Sequence, residues 1–166
     1  SALVVFRIMF GFLVFAESIG AILTGWVKET LVDPAFTFTI IGFDWLQPLP
    51  GPGMYIYFIG MAICGLLIMI GLEYRLSVSV FTLLWTACYF MQKSHYNNHY
   101  YLLILLGLFM LLVPAHGYAS IDAKRKNSVV SLTCPRWCIS IFKIQLFIVF
   151  TYAAMAKLYP GWAQGD

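Results

Sequence analysis

Ionisable side chains stand inside or next to apolar segments of this 166-residue sequence, and four of them are in positions that suggest a function. Arg7 and Glu17 lie in the first apolar run, His99 follows a short polar stretch, and Lys157 ends the last apolar run. Ionisable groups are costly in a bilayer and usually face a partner or a functional site. These four residues are therefore the first candidates for acid–base chemistry.

Lys157 follows Ala153, Ala154 and Ala156, which are small residues that let another helix approach closely. A lysine packed in this way is partly removed from water, and desolvation disfavours its charged form. Because a neutral amine accepts a proton, we expect Lys157 to act as a base. The alternative is a lysine whose stem extends and places the ammonium among lipid headgroups.

His99 belongs to the polar stretch QKSHYNNHYY, residues 92–101, which contains two histidines, two asparagines and one lysine. Two roles are open for His99: a site residue, or an interfacial histidine whose ring is hydrated. Asn97 and Asn98 have a simple interpretation as caps of the helix that follows. Asparagine oxygens accept hydrogen bonds from the free amides of a first helical turn.

Arg7 and Glu17 are ten residues apart, which is about 15 Å along a helix and too far for a direct pair. Each is therefore predicted to have a partner on another helix. We place Glu17 in the middle of the first apolar run, where an ionised carboxylate must be paired or protonated. A structural polar clamp and a catalytic role both fit Glu17. His116 is predicted to be structural, on the opposite face of the membrane from His99.

The elements that position these residues are apolar helices. Apolar residues make up 61% of the sequence and charged residues 10%, which is typical of a membrane protein. We predict an all-α, polytopic transmembrane bundle of about five spans that forms one domain over residues 1–166. The first run has no small-residue cleavage site, so we expect a retained span. The predicted spans are Ala2 to Gly25, Met54 to Leu72, Leu76 to Met91, Tyr100 to Pro114 and Ile139 to Ala156.

The charges of the loops predict the orientation of the bundle. Positive loops tend to stay in the cytoplasm, and the fourth interhelical segment carries the strongest positive cluster: Lys124, Arg125, Lys126 and Arg136. The N-terminus is then cytoplasmic, and His99 and Lys157 share the non-cytoplasmic face. Aromatic residues near the span ends fit interfacial belts; they include Trp26, Trp45, Tyr55, Tyr89, Tyr96, Tyr100, Tyr101 and Trp162.

Composition also bears on partners. The formal net charge of +3 is spread over loops, so we expect no nucleic-acid partner. Of the four cysteines, Cys134 and Cys138 are spaced as a Cys-x3-Cys pair, but no second pair follows, and we expect packed thiols and no metal. The lipid bilayer is the partner that the composition predicts.

Five motifs stand out along the chain: FRIMFGFLV (6–14), QPLPGPGMYIYF (47–58), GLEYRLS (71–77), NNHYYL (97–102) and QLFIVFTYAAMAKLYPGW (145–162). Together they resemble the vitamin K-dependent γ-glutamyl carboxylase family, whose membrane part is the HTTM (horizontally transferred transmembrane) domain. They occur in family order over nearly the whole chain, and VPAHGYASIDA is more similar to bacterial-type members. Family enzymes continue beyond WAQGD, so we expect the chain to match their N-terminal membrane part, whether it is a fragment, a split protein or a natural short member.

The resemblance implies an activity and roles for site residues. The lysine matching Lys157 deprotonates vitamin K hydroquinone, oxygen adds, and the adduct becomes a base that removes a γ-proton from a protein or peptide glutamate. Carbon dioxide is then captured, which gives γ-carboxyglutamate and vitamin K epoxide. The histidine matching His99 serves the carboxylation half, and Asn98, with Asn97, is assigned to quinol binding at the same site.

The resemblance also implies a place in the cell, which is the bacterial inner membrane, or the endoplasmic reticulum in a eukaryote, with the site on the non-cytoplasmic side. Two other functions are open. One is a quinol epoxidase that does not carboxylate glutamate. The other is a non-catalytic membrane scaffold or export factor in which Lys157 pairs with a carboxylate such as Glu17.

Overall fold

The computed structural model describes residues 2–95, 97–125 and 134–157, although no side chain is described for His95. The chain divides into two compact units, Ser1–Thr133 and Cys134–Asp166. The first unit contains α1 (Ala2–Leu23), α2 (Gly53–Ile70), α3 (Tyr74–Met91), α4 (Asn98–Leu112) and α5 (Ile121–Arg125). The second contains α6 (Trp137–Ala156). A π-helical turn, Lys28–Val32, and a 3-10 turn, Lys93–His95, lie in the connections.

The prediction of an all-α fold is confirmed, and of the six α-helices among the described residues, five correspond to the five predicted spans. By length and composition, α1, α2 and α6 are long and apolar enough to cross a membrane, and α4 is a shorter apolar helix of 15 residues. Helix α3 is as long as α2, at 18 residues, but has Arg75 in its first turn and several hydroxyl residues along its length. The chain therefore has several helices suited to a membrane.

Neighbouring helices in the sequence pack on one another in the first unit, since α1 contacts α2, α2 contacts α3 and α3 contacts α4. The connection between α2 and α3 is short because Gly71 adopts a left-handed conformation with φ of 68°. A side chain there would also lie 2.9 Å from Nη1 of Arg7 and would collide with Ser120. Only glycine satisfies both the backbone angle and the space at this corner.

The crossing of α1 and α2 is made by two glycines. A Cβ atom at Gly11 would lie 2.7 Å from the carbonyl oxygen of Gly65, and a Cβ atom at Gly65 would lie 2.7 Å from the backbone nitrogen of Phe15. The helix backbones are therefore in contact, as is common where small residues line a membrane helix interface. This contact fixes which faces of α1 and α2 turn towards the rest of the unit.

Replacing Gly65 with alanine should destabilise the first unit by about 1–3 kcal/mol, because the atoms in the way are backbone and cannot move aside. Gly60→Ala in the same helix is the matched control, since a Cβ at Gly60 meets nothing within 4 Å. The measurement is the unfolding midpoint in detergent micelles. A Gly65→Ala protein as stable as Gly60→Ala would show that the helices do not cross here.

Arg7 closes one end of the first unit and is fully buried, at 0% exposure. Nη1 donates to the carbonyl oxygens of Ala115 at 2.9 Å and Tyr118 at 3.3 Å, and Nη2 donates to Ala119 at 2.6 Å. We expected a partner on another helix, and the structure corrects this, because the acceptors lie in the connection between α4 and α5. Arg7 thus acts as a polar clamp that holds this connection to α1.

The same end holds further polar contacts. The carboxylate of Asp122 accepts hydrogen bonds from the backbone amides of Glu73 and Tyr74, both at 2.9 Å, and so satisfies the free first-turn amides of α3. The ring of Tyr74 stacks on His116 with centroids 5.2 Å apart. His116 thus packs at the Arg7 end of the unit.

Candidate functional site

The opposite end of the first unit is built by two connections that lie together. The side chain of Gln92 accepts a hydrogen bond from the backbone amide of Phe38 at 2.9 Å and donates to the carbonyl oxygen of Thr30 at 3.3 Å. The amide of Lys93 also donates to the carbonyl oxygen of Phe38, at 2.6 Å. The loop after α1 is therefore held against the C-terminal end of α3. Both connections lie at the same end of the unit, as the sequence predicts.

Glu17 lies near this end and is half-buried. Helix α1 ends at Leu23, so Glu17 is six residues, or about 9 Å, from the helix end, and not in the middle of the span as we expected. Tyr100, in the first turn of α4, interacts with the Glu17 carboxylate and lines the same groove. Glu17 therefore lies beside a polar residue of another helix, and its role stays a prediction.

A groove of about 250 Å³ runs between α1 and α4 and brings together two of the predicted site residues, Glu17 and His99. Tyr100 lies between them in the lining. The remaining wall is apolar and is made by Leu13, Leu102, Leu103 and Leu106. The groove thus has hydrogen-bonding and acid–base groups beside a hydrocarbon surface.

Asn97 fixes the ring of His99. Its Oδ1 atom accepts a hydrogen bond from the backbone amide of His99 at 2.9 Å and lies 2.8 Å from Nδ1 of the same residue. An amide oxygen only accepts, so Nδ1 carries the proton in this contact and Nε2 of the neutral ring keeps its lone pair. Asn97 is therefore the cap of α4 and a positioning residue for an imidazole whose Nε2 can accept a proton.

An inner cavity of about 30 Å³ adjoins Glu17 and Tyr100 and is lined mainly by aromatic rings. The Tyr100 ring meets Trp85 edge-on at 5.3 Å and Trp26 edge-on at 6.2 Å. Nε1 of Trp85 donates to the carbonyl oxygen of Tyr100 at 3.2 Å. We assigned Trp26 and Tyr100 to interfacial belts and overlooked Trp85. Tyr100 could have been identified as a site residue because it directly follows His99 in the sequence.

The other predicted site residues are distributed as follows. Asn98 is the first residue of α4 and is exposed. Lys157 belongs to the second unit, where it is the C-terminal cap of α6 and its amide donates to the carbonyl oxygen of Ala154 at 3.1 Å. The Lys157 side chain is exposed, as are the alanines of the preceding turn that were expected to admit a close neighbour. Its role as a base remains a prediction.

Within residues 2–95, 97–125 and 134–157, no three His, Cys, Asp or Glu side chains are grouped for metal binding. All four cysteines are free thiols, and Cys138 is buried.

The groove can hold an amphipathic molecule. A carboxylate accepts hydrogen bonds, an imidazole Nε2 accepts a proton, and leucines contact hydrocarbon. A ring that carries acidic hydroxyl groups and a hydrocarbon tail matches this arrangement in both parts.

Comparison with known proteins gives one family. A family model described as HTTM domain matches residues 1–166. The match covers both compact units and all the candidate site residues. No solved structure matches the chain.

Proposed function

Because the chain belongs to the HTTM domain family, which is related to vitamin K-dependent carboxylase, we propose that it is a membrane enzyme that acts on vitamin K hydroquinone. In the proposed reaction, the quinol, O2, CO2 and a glutamyl side chain of a protein or peptide give quinone epoxide, water, a proton and γ-carboxyglutamate. The observation that carries the proposal is the groove shared by Glu17, His99 and Tyr100 on the membrane helices α1 and α4.

The groove supports this proposal by its chemistry. A lipid-soluble quinol has a polar ring and a hydrocarbon tail, and the groove has a polar end and leucine walls. A ligand of this kind enters from the bilayer, and an apolar site keeps water away from strongly basic species. When bound, the quinol supplies the electrons for oxygen reduction and hence the driving force for removing a γ-proton.

Lys157 is the proposed base that takes a proton from the quinol. Its position at the end of α6, after a long apolar helix, suits a base that works at membrane depth. The site is proposed to face the non-cytoplasmic side, because the positive loop segment predicts a cytoplasmic location for the opposite end.

His99 is the proposed acid–base group of the carboxylation half. Asn97 holds its Nδ1 and leaves Nε2 able to exchange a proton with a reacting group. Asn98, one residue before it, is the proposed polar contact for the quinol ring, together with Asn97. The imidazole is held in one tautomer, which is what a proton-transfer role requires.

The test is to replace His99 with alanine in the full-length protein in liposomes and to measure epoxide and fixed CO2 in one assay. We expect fixed CO2 to fall by about 10²-fold or more, which is typical of a lost acid–base group, while epoxide formation falls much less. Tyr101→Phe is the matched control, because this exposed tyrosine of the same turn is absent from the groove lining.

The native protein decides between the alternatives. Epoxide without fixed CO2 identifies a quinol epoxidase. Bound quinol with neither product identifies a scaffold and overturns the proposed reaction. Equal losses of both products in His99→Ala would contradict the assignment of His99 to carboxylation.

A further inference from the structure

We propose that Glu17 accepts a hydrogen bond from a quinol hydroxyl and makes the groove bind the reduced ring in preference to the oxidised ring. This inference rests on the proposed function, because it assumes that the groove is the quinol site. It adds a role for Glu17 that the sequence left open between clamp and catalyst.

The position of Glu17 is the first observation. It lines both the leucine-walled groove and the inner aromatic cavity, and Tyr100 lines both with it. A ligand ring at the polar end of the groove therefore reaches the carboxylate. His99, the other acid–base group of the groove lining, stands next to Tyr100 on α4.

The hydrogen-bonding capacity of Glu17 is the second observation. A carboxylate has two oxygens with about four acceptor positions. Tyr100 interacts with this carboxylate, and a bond from its one hydroxyl would leave the other acceptor positions unused. A half-buried carboxylate with acceptor positions to spare is stabilised by a further donor from a ligand.

The two redox forms of the ring differ in this respect. A quinol carries hydroxyl groups, which donate, whereas a quinone carries carbonyl oxygens, which only accept. A quinol that faces the carboxylate gains a charge-assisted hydrogen bond. A quinone in the same place brings its carbonyl oxygen against the carboxylate oxygen, and neither of these two acceptors can donate a hydrogen bond. The Nε2 lone pair of His99 is a second acceptor and acts in the same direction. A hydrogen bond to a charged group corresponds to about 10- to 100-fold in affinity.

The test is the ratio of two dissociation constants in the same protein. Full-length protein in nanodiscs is titrated without oxygen by calorimetry, with a short-tailed naphthoquinol and with the matching naphthoquinone, and empty nanodiscs give the background. Glu17→Gln replaces an acceptor-only group by one that also donates. Asp44→Asn is the control, because this carboxylate lies in the exposed loop after α1 and not in the groove lining.

We expect the native protein and Asp44→Asn to bind the quinol at least about tenfold more tightly than the quinone, and Glu17→Gln to bring the ratio close to one. If Glu17→Gln does not fold, Glu17→Asp serves instead, and its shorter carboxylate should lower the ratio. A folded Glu17→Gln protein with the native ratio overturns this inference alone. A native protein that binds neither ring overturns the proposed function.

Discussion

Lys157→Ala is expected to abolish epoxide formation, with a loss of about 10²–10⁴-fold, because Lys157 is the proposed base that takes the proton from the quinol. The loss should affect both products, since fixation of CO2 depends on the oxygenation that precedes it. The measurement is epoxide and fixed CO2 from the full-length protein in liposomes, at saturating quinol.

Lys143→Ala is the matched control for this experiment, because Lys143 is an exposed lysine in the same helix. It should retain the native rate, which would show that loss of a positive charge from α6 is not itself the cause. Lys157→Ala protein that still forms epoxide at the native rate would remove Lys157 from the mechanism. Quinol affinity measured in the same variant separates a lost base from a lost binding contact.

Arg7→Met is expected to cause the largest loss of stability, about 3 kcal/mol or more. The change leaves three carbonyl oxygens, those of Ala115, Tyr118 and Ala119, without the donors that hold them. An interaction with a charged donor contributes about 1.5–3 kcal/mol, and buried acceptors left without a partner add a penalty. The measurement is the unfolding midpoint in detergent micelles.

Arg75→Met is the control for this prediction, because Arg75 is exposed in the first turn of α3 and its loss should change the midpoint little. Arg7→Lys gives a sharper comparison. An ammonium cannot reproduce the fork by which two nitrogens reach three carbonyls, so lysine should restore only part of the stability. A midpoint for Arg7→Met equal to the native value would contradict the clamp.

The helices could be predicted from the sequence because the long apolar runs are bounded by residues that begin or end helices. The boundaries of α2, between Pro52 and Gly71, were predicted closely, since proline and glycine mark the two ends. Counting spans also predicted which connections lie together at each end of the first unit. These features depend on chain order and local residue type alone.

The contacts between helices could not be predicted in the same way. Which residues face each other depends on the rotation of each helix, and the Gly11–Gly65 contact sets that rotation for α1 and α2. The proximity of Glu17 and Tyr100 in the groove therefore follows from the packing of α1 and α4 and not from the local sequence. The prediction that Arg7 has a partner on another helix was wrong because its acceptors are backbone atoms of a loop. Ala119 of this loop has an unusual φ of 48°, and the periodic patterns that reveal helices do not reveal such a loop conformation.

The leucine wall between α1 and α4 determines which concentration of a ligand governs its binding. A molecule that slides into such a wall arrives by lateral diffusion within one leaflet, so its chemical activity is set by its mole fraction among the lipids. Adding buffer would leave occupancy unchanged, whereas adding plain phospholipid would lower it. Turnover in vesicles should accordingly scale with surface dilution and not with bulk volume.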